Sequence, residues 1–178
     1  MIGMNCFELM KLAENGSISA RIELARILTE NGIDDADNAR KIVAWIQELS
    51  DNENTDAQYY VATMHRLAEH PMDAFVLYSK AALKNHPLAS IWLAKYYFYG
   101  WVIEKKLDVA FNLASKAFEL GEKTYAPQLL AYFYLSGEVV STNVLEAHKL
   151  LTISYSNGNN DVLETLDKIE MAYPNLHH

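Results

Sequence analysis

A chain of 178 residues with 51% apolar and 21% charged positions has ample material for a packed core and lies outside the composition range of disordered proteins. Seven Gly and four Pro are too few for the turns of an all-β sandwich, so helix is the default for a chain that also carries 11 Tyr, 6 Phe and 3 Trp. The net charge of -8 argues against nucleic acid, whose phosphates need clustered cations; the excess of acid lies mainly in residues 1–70, with 12 acids to 6 bases, and would steer a partner with a cationic surface.

The first predicted element reads as a cap: Phe7, Leu9, Met10, Leu12 and Ala13, closed by Asn15-Gly16, resemble the second, amphipathic helix of a unit. Two alanine registers then run through the chain. Ala20, Ala57, Ala89 and Ala126 stand 37, 32 and 37 residues apart, and each is followed at +4 and +5 by a larger apolar residue and an alanine: Leu24-Ala25, Val61-Ala62, Leu93-Ala94 and Leu130-Ala131. Apolar residues at +7 and +8 complete one helical face, with Tyr96, Tyr97, Phe133 and Tyr134 expected in the core. Gly32, Gly100 and Gly137 follow three of these helices where a left-handed residue would stop them. Ala39, Ala74, Ala110 and Ala147 head the second register, a second amphipathic helix per unit, with stops expected near Asn52, Asn85, Gly121 and Gly158. The chain therefore divides into a cap at 1–16, helix-turn-helix units at 17–52, 53–84, 85–121 and 122–158, and a cap and tail at 159–178. Val162, Leu166, Ile169 and Tyr173 form the single apolar stripe of the last helix, and the end through His177-His178 is expected to fray. A unit of this kind cannot bury its apolar face alone, so stacking of about ten helices in a single repeat domain supplies the core.

These residues carry a family resemblance. The runs Asp56 to Met64 and Lys80 to Ala89 look like Sel1-like repeats, relatives of the tetratricopeptide repeat. The unit with Ala89, Leu93-Ala94, Tyr97, Gly100, Val102, Asp108, Ala110, Lys116-Ala117 and Gly121 resembles the family pattern most fully. Leu-Ala replaces the family's Leu-Gly in three of the four units and Val61-Ala62 in the second, the second unit lacks its glycine turn, and Leu28 replaces a Tyr in the first. The resemblance implies an all-α, right-handed superhelical solenoid of about four α/α repeats with capping helices.

In such an array the first helix of each unit lines the concave side, which leaves the residues at +2, +6, +9 and +10 facing outward. The candidate partner-binding residues are Arg26, Tyr59, Thr63, Arg66, Lys95, Phe98, Tyr99, Gln128 and Tyr132, with Trp92 at the edge of the face. Aromatics interleaved with Arg, Lys and Gln are the composition of interface anchors.

No catalytic set accompanies them. Cys6 is the only cysteine, so no intramolecular disulfide can form, and no Gly-x-Ser-x-Gly turn or glycine-rich phosphate loop occurs. His65, His70, His86, His148, His177 and His178 have no zinc-ligand spacing, and His65 reads as a core or rim histidine. Asp34, Asp35 and Asp37, and Asp51, Glu53 and Asp56, lack the glycine and closing glutamate of a calcium loop. The expectation is a non-enzymatic protein without metal or cofactor. With no apolar run of 18 residues and no apparent signal segment, it is expected in the cytoplasm, or in the periplasm had a signal peptide been removed. The resemblance implies a protein-interaction module that holds a protein or peptide partner as adaptor or scaffold. It also admits two other roles: a bacterial immunity protein that neutralises a cognate toxin, and a β-lactamase-like enzyme. Relatives described in the last way are disulfide-rich, and a single cysteine weighs against that reading.

Overall fold

The structure is a computed structural model that describes residues 5–174; the expected frayed end at His177-His178 lies outside them. The described residues form ten α-helices in order: α1 (Cys6–Glu14), α2 (Ile18–Asn31), α3 (Ala36–Asp51), α4 (Thr55–Leu67), α5 (Pro71–Leu83), α6 (Pro87–Tyr99), α7 (Leu107–Glu119), α8 (Ala126–Ser136), α9 (Val144–Ser156) and α10 (Leu163–Ala172), the last preceded by a 3-10 turn at Asn160–Val162. No strand occurs among the described residues, and none of their helices is long and apolar enough to cross a membrane. The fold is all-α and built of helix pairs, with α2 followed by α3, α4 by α5, α6 by α7 and α8 by α9.

Local chemistry sets the helix starts. Asn5 caps α1 in a reciprocal box with Glu8, and Ser17, Asp35, Asn54 and Asn143 accept first-turn N–H groups of α2, α3, α4 and α9. The alanines of both registers let helices approach closely, and seven of the eight are fully buried. Ala39 is the exception and is only half-buried, because α3 turns Ile42, Ile46 and Leu49 inward instead.

The helix ends are of two kinds. Gly32, Gly100 and Gly137, with φ of 75°, 70° and 70°, close α2, α6 and α8 through single bonds to Leu28, Tyr96 and Phe133. The other closed ends use a paired Schellman arrangement, in which Asn85, Gly121 and Gly158 adopt left-handed backbone at the ends of α5, α7 and α9. At the end of α3 the left-handed residue is Glu53 (φ 62°) rather than the expected Asn52, which keeps φ at -83°. Helix α4 has no glycine after it, and Glu69 (φ 60°) takes the left-handed position in a Schellman turn that leads into α5 after three residues. That turn of three residues, against the longer α6–α7 connection, shortens the interval of 32 residues relative to the one after it, whereas the first interval is longer mainly because α3 has 16 residues to the 13 of α5.

The chain forms two compact units, residues 1–86 and 87–178. The first is built around Leu9, Leu24, Ile42 and Ile46 with the alanines of α2 and α4. The second is built around Ile91, Phe133, Leu150 and Leu151 and closes on Val162, Leu166 and Ile169 of the C-terminal segment. Tyr96 and Phe133 are fully buried as expected, whereas Tyr97 and Tyr134 pack on the core half-buried.

Candidate functional site

The second unit contains a cleft of about 340 Å³ between the equivalent helices α6 and α8. Lys95, Phe98 and Tyr99 come from α6, Gln128, Leu129 and Tyr132 from α8, Tyr125 from the residue before α8, and Asp161 from the 3-10 turn. Offsets of three and four residues place each trio on one helix face, so one cleft is built from the same face of two successive repeats.

The aromatic side chains form a connected platform. Phe98 meets Tyr99 and Tyr132 edge to face, each at 4.8 Å between ring centroids, and Tyr99 stacks on Trp101 at 5.0 Å. Such pairs fix ring orientation in addition to covering area. Tyr99 remains 57% exposed, and Tyr125 and Tyr132 are each 42% exposed, so the platform keeps large faces open to a partner. Lys95 lies between two rings, with Nζ 4.7 Å from the Trp92 centroid and 5.0 Å from that of Tyr125. Both distances fall within cation–π range and hold the ammonium at the cleft wall. Asp161 supplies a carboxylate, so the cleft offers an aromatic floor with one charge of each sign.

A buried polar network holds α8 in place beneath this surface. The Glu122 carboxylate, only 7% exposed, accepts backbone N–H groups of Thr124, Tyr125 and Ala126 and so caps the start of α8. Asn159 Nδ2 donates to the Thr124 carbonyl at 3.2 Å, to Ser154 Oγ at 3.0 Å and to Gln128 Oε1 at 3.1 Å. Ser154 Oγ also donates to the Thr124 carbonyl. The donor from Asn159 orients the Gln128 amide within the cleft.

Of the ten candidate residues named from sequence, Lys95, Phe98, Tyr99, Gln128 and Tyr132 line this cleft and Trp92 backs Lys95. The other four lie in the first unit. Arg26 is engaged with Glu23 at 2.6 Å and with Glu30 on its own helix. Tyr59 stacks on His86 at 4.7 Å. Arg66 is half-buried, with its Nε fully so. Thr63 does not face outward: it is 7% exposed, and its hydroxyl lies 3.0 Å from that of the fully buried Tyr78, which needs a polar partner there. Ile91, another position expected to face outward, is 1% exposed and belongs to the core. Sequence reasoning missed Tyr125, Leu129 and Asp161. Tyr125 and Asp161 lie outside the regular helices where no repeat offset reaches them, and Leu129 sits one residue from the core pair Leu130-Ala131. The short α4–α5 turn also gathers His65, His70 and Asp73, which linear spacing did not mark as a set.

The helix-pair architecture has counterparts among solved structures. A Sel1 repeat protein from Oxalobacter formigenes superposes with a TM-score of 0.76 at 18% identity, covering 96% of this chain and 70% of its own. A protective antigen of uropathogenic Escherichia coli strains, which displays a Sel1-like repeat fold, superposes with a TM-score of 0.69 at 22% identity over 88% of this chain, and this chain spans about a third (34%) of its length. No family model matches the sequence, and no curated protein matches it by sequence. The fold is that of the Sel1-like repeat.

Proposed function

We propose that this protein is a non-enzymatic interaction module that holds a segment of a protein partner in the cleft between α6 and α8, as an adaptor or scaffold. The observation that supports this reading is the convergence of exposed Tyr99, Tyr125 and Tyr132 with Lys95, Gln128 and Asp161 on one cleft. Tyrosine gives large contact area for little lost side-chain freedom, and an aromatic centre rimmed by a few oriented polar groups is the arrangement of an interface hot spot. The fixed Gln128 amide can bond an extended backbone, while Lys95 and Asp161 favour a partner with a charge of each sign at matching positions. Architectures of this kind bind through surfaces that successive repeats build together, and this cleft is such a surface.

The test is capture of partners from host extract on immobilised wild-type protein, compared with Tyr99→Ala/Tyr132→Ala and with the Arg40→Glu variant on the exposed side of α3. The proposal expects a protein retained by the wild type and by Arg40→Glu and lost with the double variant, whose circular dichroism stays native. Equal retention by all three contradicts it.

A further inference from the structure

The turn between α4 and α5 places three ligand-type side chains together by two independent local rules. A Schellman ending brings the third residue from the helix end beside the second residue past its cap. Here those residues are His65 and His70, joined by the bond from His70 N–H to the His65 carbonyl at 2.8 Å, with Glu69 N–H bonded to the Arg66 carbonyl at 3.2 Å. Such turns frequently carry an apolar contact between these two side chains; here both are imidazoles, with ring centroids 6.1 Å apart. His70 is also the N-cap residue of α5, and the N-cap and third helical positions are neighbours in a capping box. The third helical position of α5 is Asp73. One residue, His70, is thus adjacent to His65 by the rule that ends one helix and to Asp73 by the rule that starts the next.

The donor atoms of His65, His70 and Asp73 all lie within 4.8 Å of one another. Ligands about 2.0–2.2 Å from a tetrahedral ion stand roughly 3.3 Å apart, so modest side-chain rotations bring all three onto one centre. His70 makes no capping bond, and among the described residues no hydrogen bond or ion pair competes for the three side chains. Two imidazoles and one carboxylate suit a borderline transition-metal dication and not magnesium or calcium, which prefer all-oxygen sets. We propose that His65, His70 and Asp73 form a zinc-binding site with one position left to water. The ion pins the end of α4 to the start of α5, and the site stands apart from the cleft of the second unit in both residues and chemistry.

The test is calorimetric titration of Zn²⁺ into the full chain after chelator treatment, run beside the variants His65→Ala, His70→Ala, His70→Asn and Asp73→Asn. Because His177 and His178 also carry imidazoles, a His177→Ala/His178→Ala chain is titrated in parallel. The proposal expects one equivalent bound by the wild type and by the His177→Ala/His178→Ala chain, a raised thermal midpoint on binding, and affinity at least tenfold weaker in each single histidine variant. His70→Asn keeps a residue suited to the cap, so its loss of binding is free of any folding defect in His70→Ala. Absence of saturable binding overturns the site. So does binding that survives His65→Ala/His70→Ala, or that disappears only with His177→Ala/His178→Ala.

Discussion

At the scale of single residues, the most consequential side chain beneath the cleft is Glu122. It is a buried carboxylate that makes no ion pair among the described residues, and it is held by backbone N–H groups of Thr124, Tyr125 and Ala126 at the start of α8. Removing it leaves the buried Ala126 N–H and the half-buried N–H groups of Thr124 and Tyr125 without this partner, so Glu122→Ala is expected to cost about 1–3 kcal/mol in urea unfolding and Glu122→Gln less, since the amide oxygen still accepts. His86 makes a second test. Burial against Tyr59 holds its imidazole below the ordinary histidine range, and Asp56 at 3.3 Å only partly opposes this. The native state therefore resists protonation of a group that the unfolded chain protonates near pH 6.5. The stability linked to His86 is fully present above that pH and is lost as pH falls toward the depressed native value. Urea midpoints measured at pH 7.5 and pH 5.5 should fall more steeply for the wild type than for His86→Gln; parallel falls would show that His86 carries none of the dependence.

At the scale of elements, the repeat made the helices legible. Alanine spacing identified the inner faces of α2, α4, α6 and α8 because only small residues permit that approach, and the glycines marked three helix ends because left-handed backbone favours glycine. The α4–α5 turn was not legible, since Glu69 in left-handed backbone carries no glycine signal and His65 and His70 look unrelated at a spacing of five. This gives two opposed predictions. Glu69→Gly relieves a strained position and should raise stability by about 0.5–1 kcal/mol. Gly137→Ala should lower it by more than 1 kcal/mol, because the added Cβ takes a left-handed φ of 70° and meets Thr142 Oγ1 at 2.6 Å. Chemical denaturation of both variants checks the pair, and a loss of stability in Glu69→Gly would refute the strain.

At the scale of the whole molecule, the helix-pair architecture follows from the sequence because the period and the small residues recur in all four units and glycine stops mark three of them. The site was legible only in part. Offsets found Lys95, Phe98, Tyr99, Gln128 and Tyr132 because the same helix face recurs in α6 and α8. They failed at Thr63 and Ile91, where tertiary contacts with Tyr78 and with the second core claim positions that a regular repeat would leave open. The central claim is that the exposed tyrosines of the α6–α8 cleft carry the binding energy for a protein partner. Calorimetric affinity of the captured partner for wild-type protein and for Tyr99→Ala/Tyr132→Ala tests it most directly. The account predicts at least a hundredfold weaker binding by a variant that unfolds at the wild-type urea midpoint, in keeping with about 2 kcal/mol or more for each hot-spot aromatic. Unchanged affinity in that folded variant would contradict it.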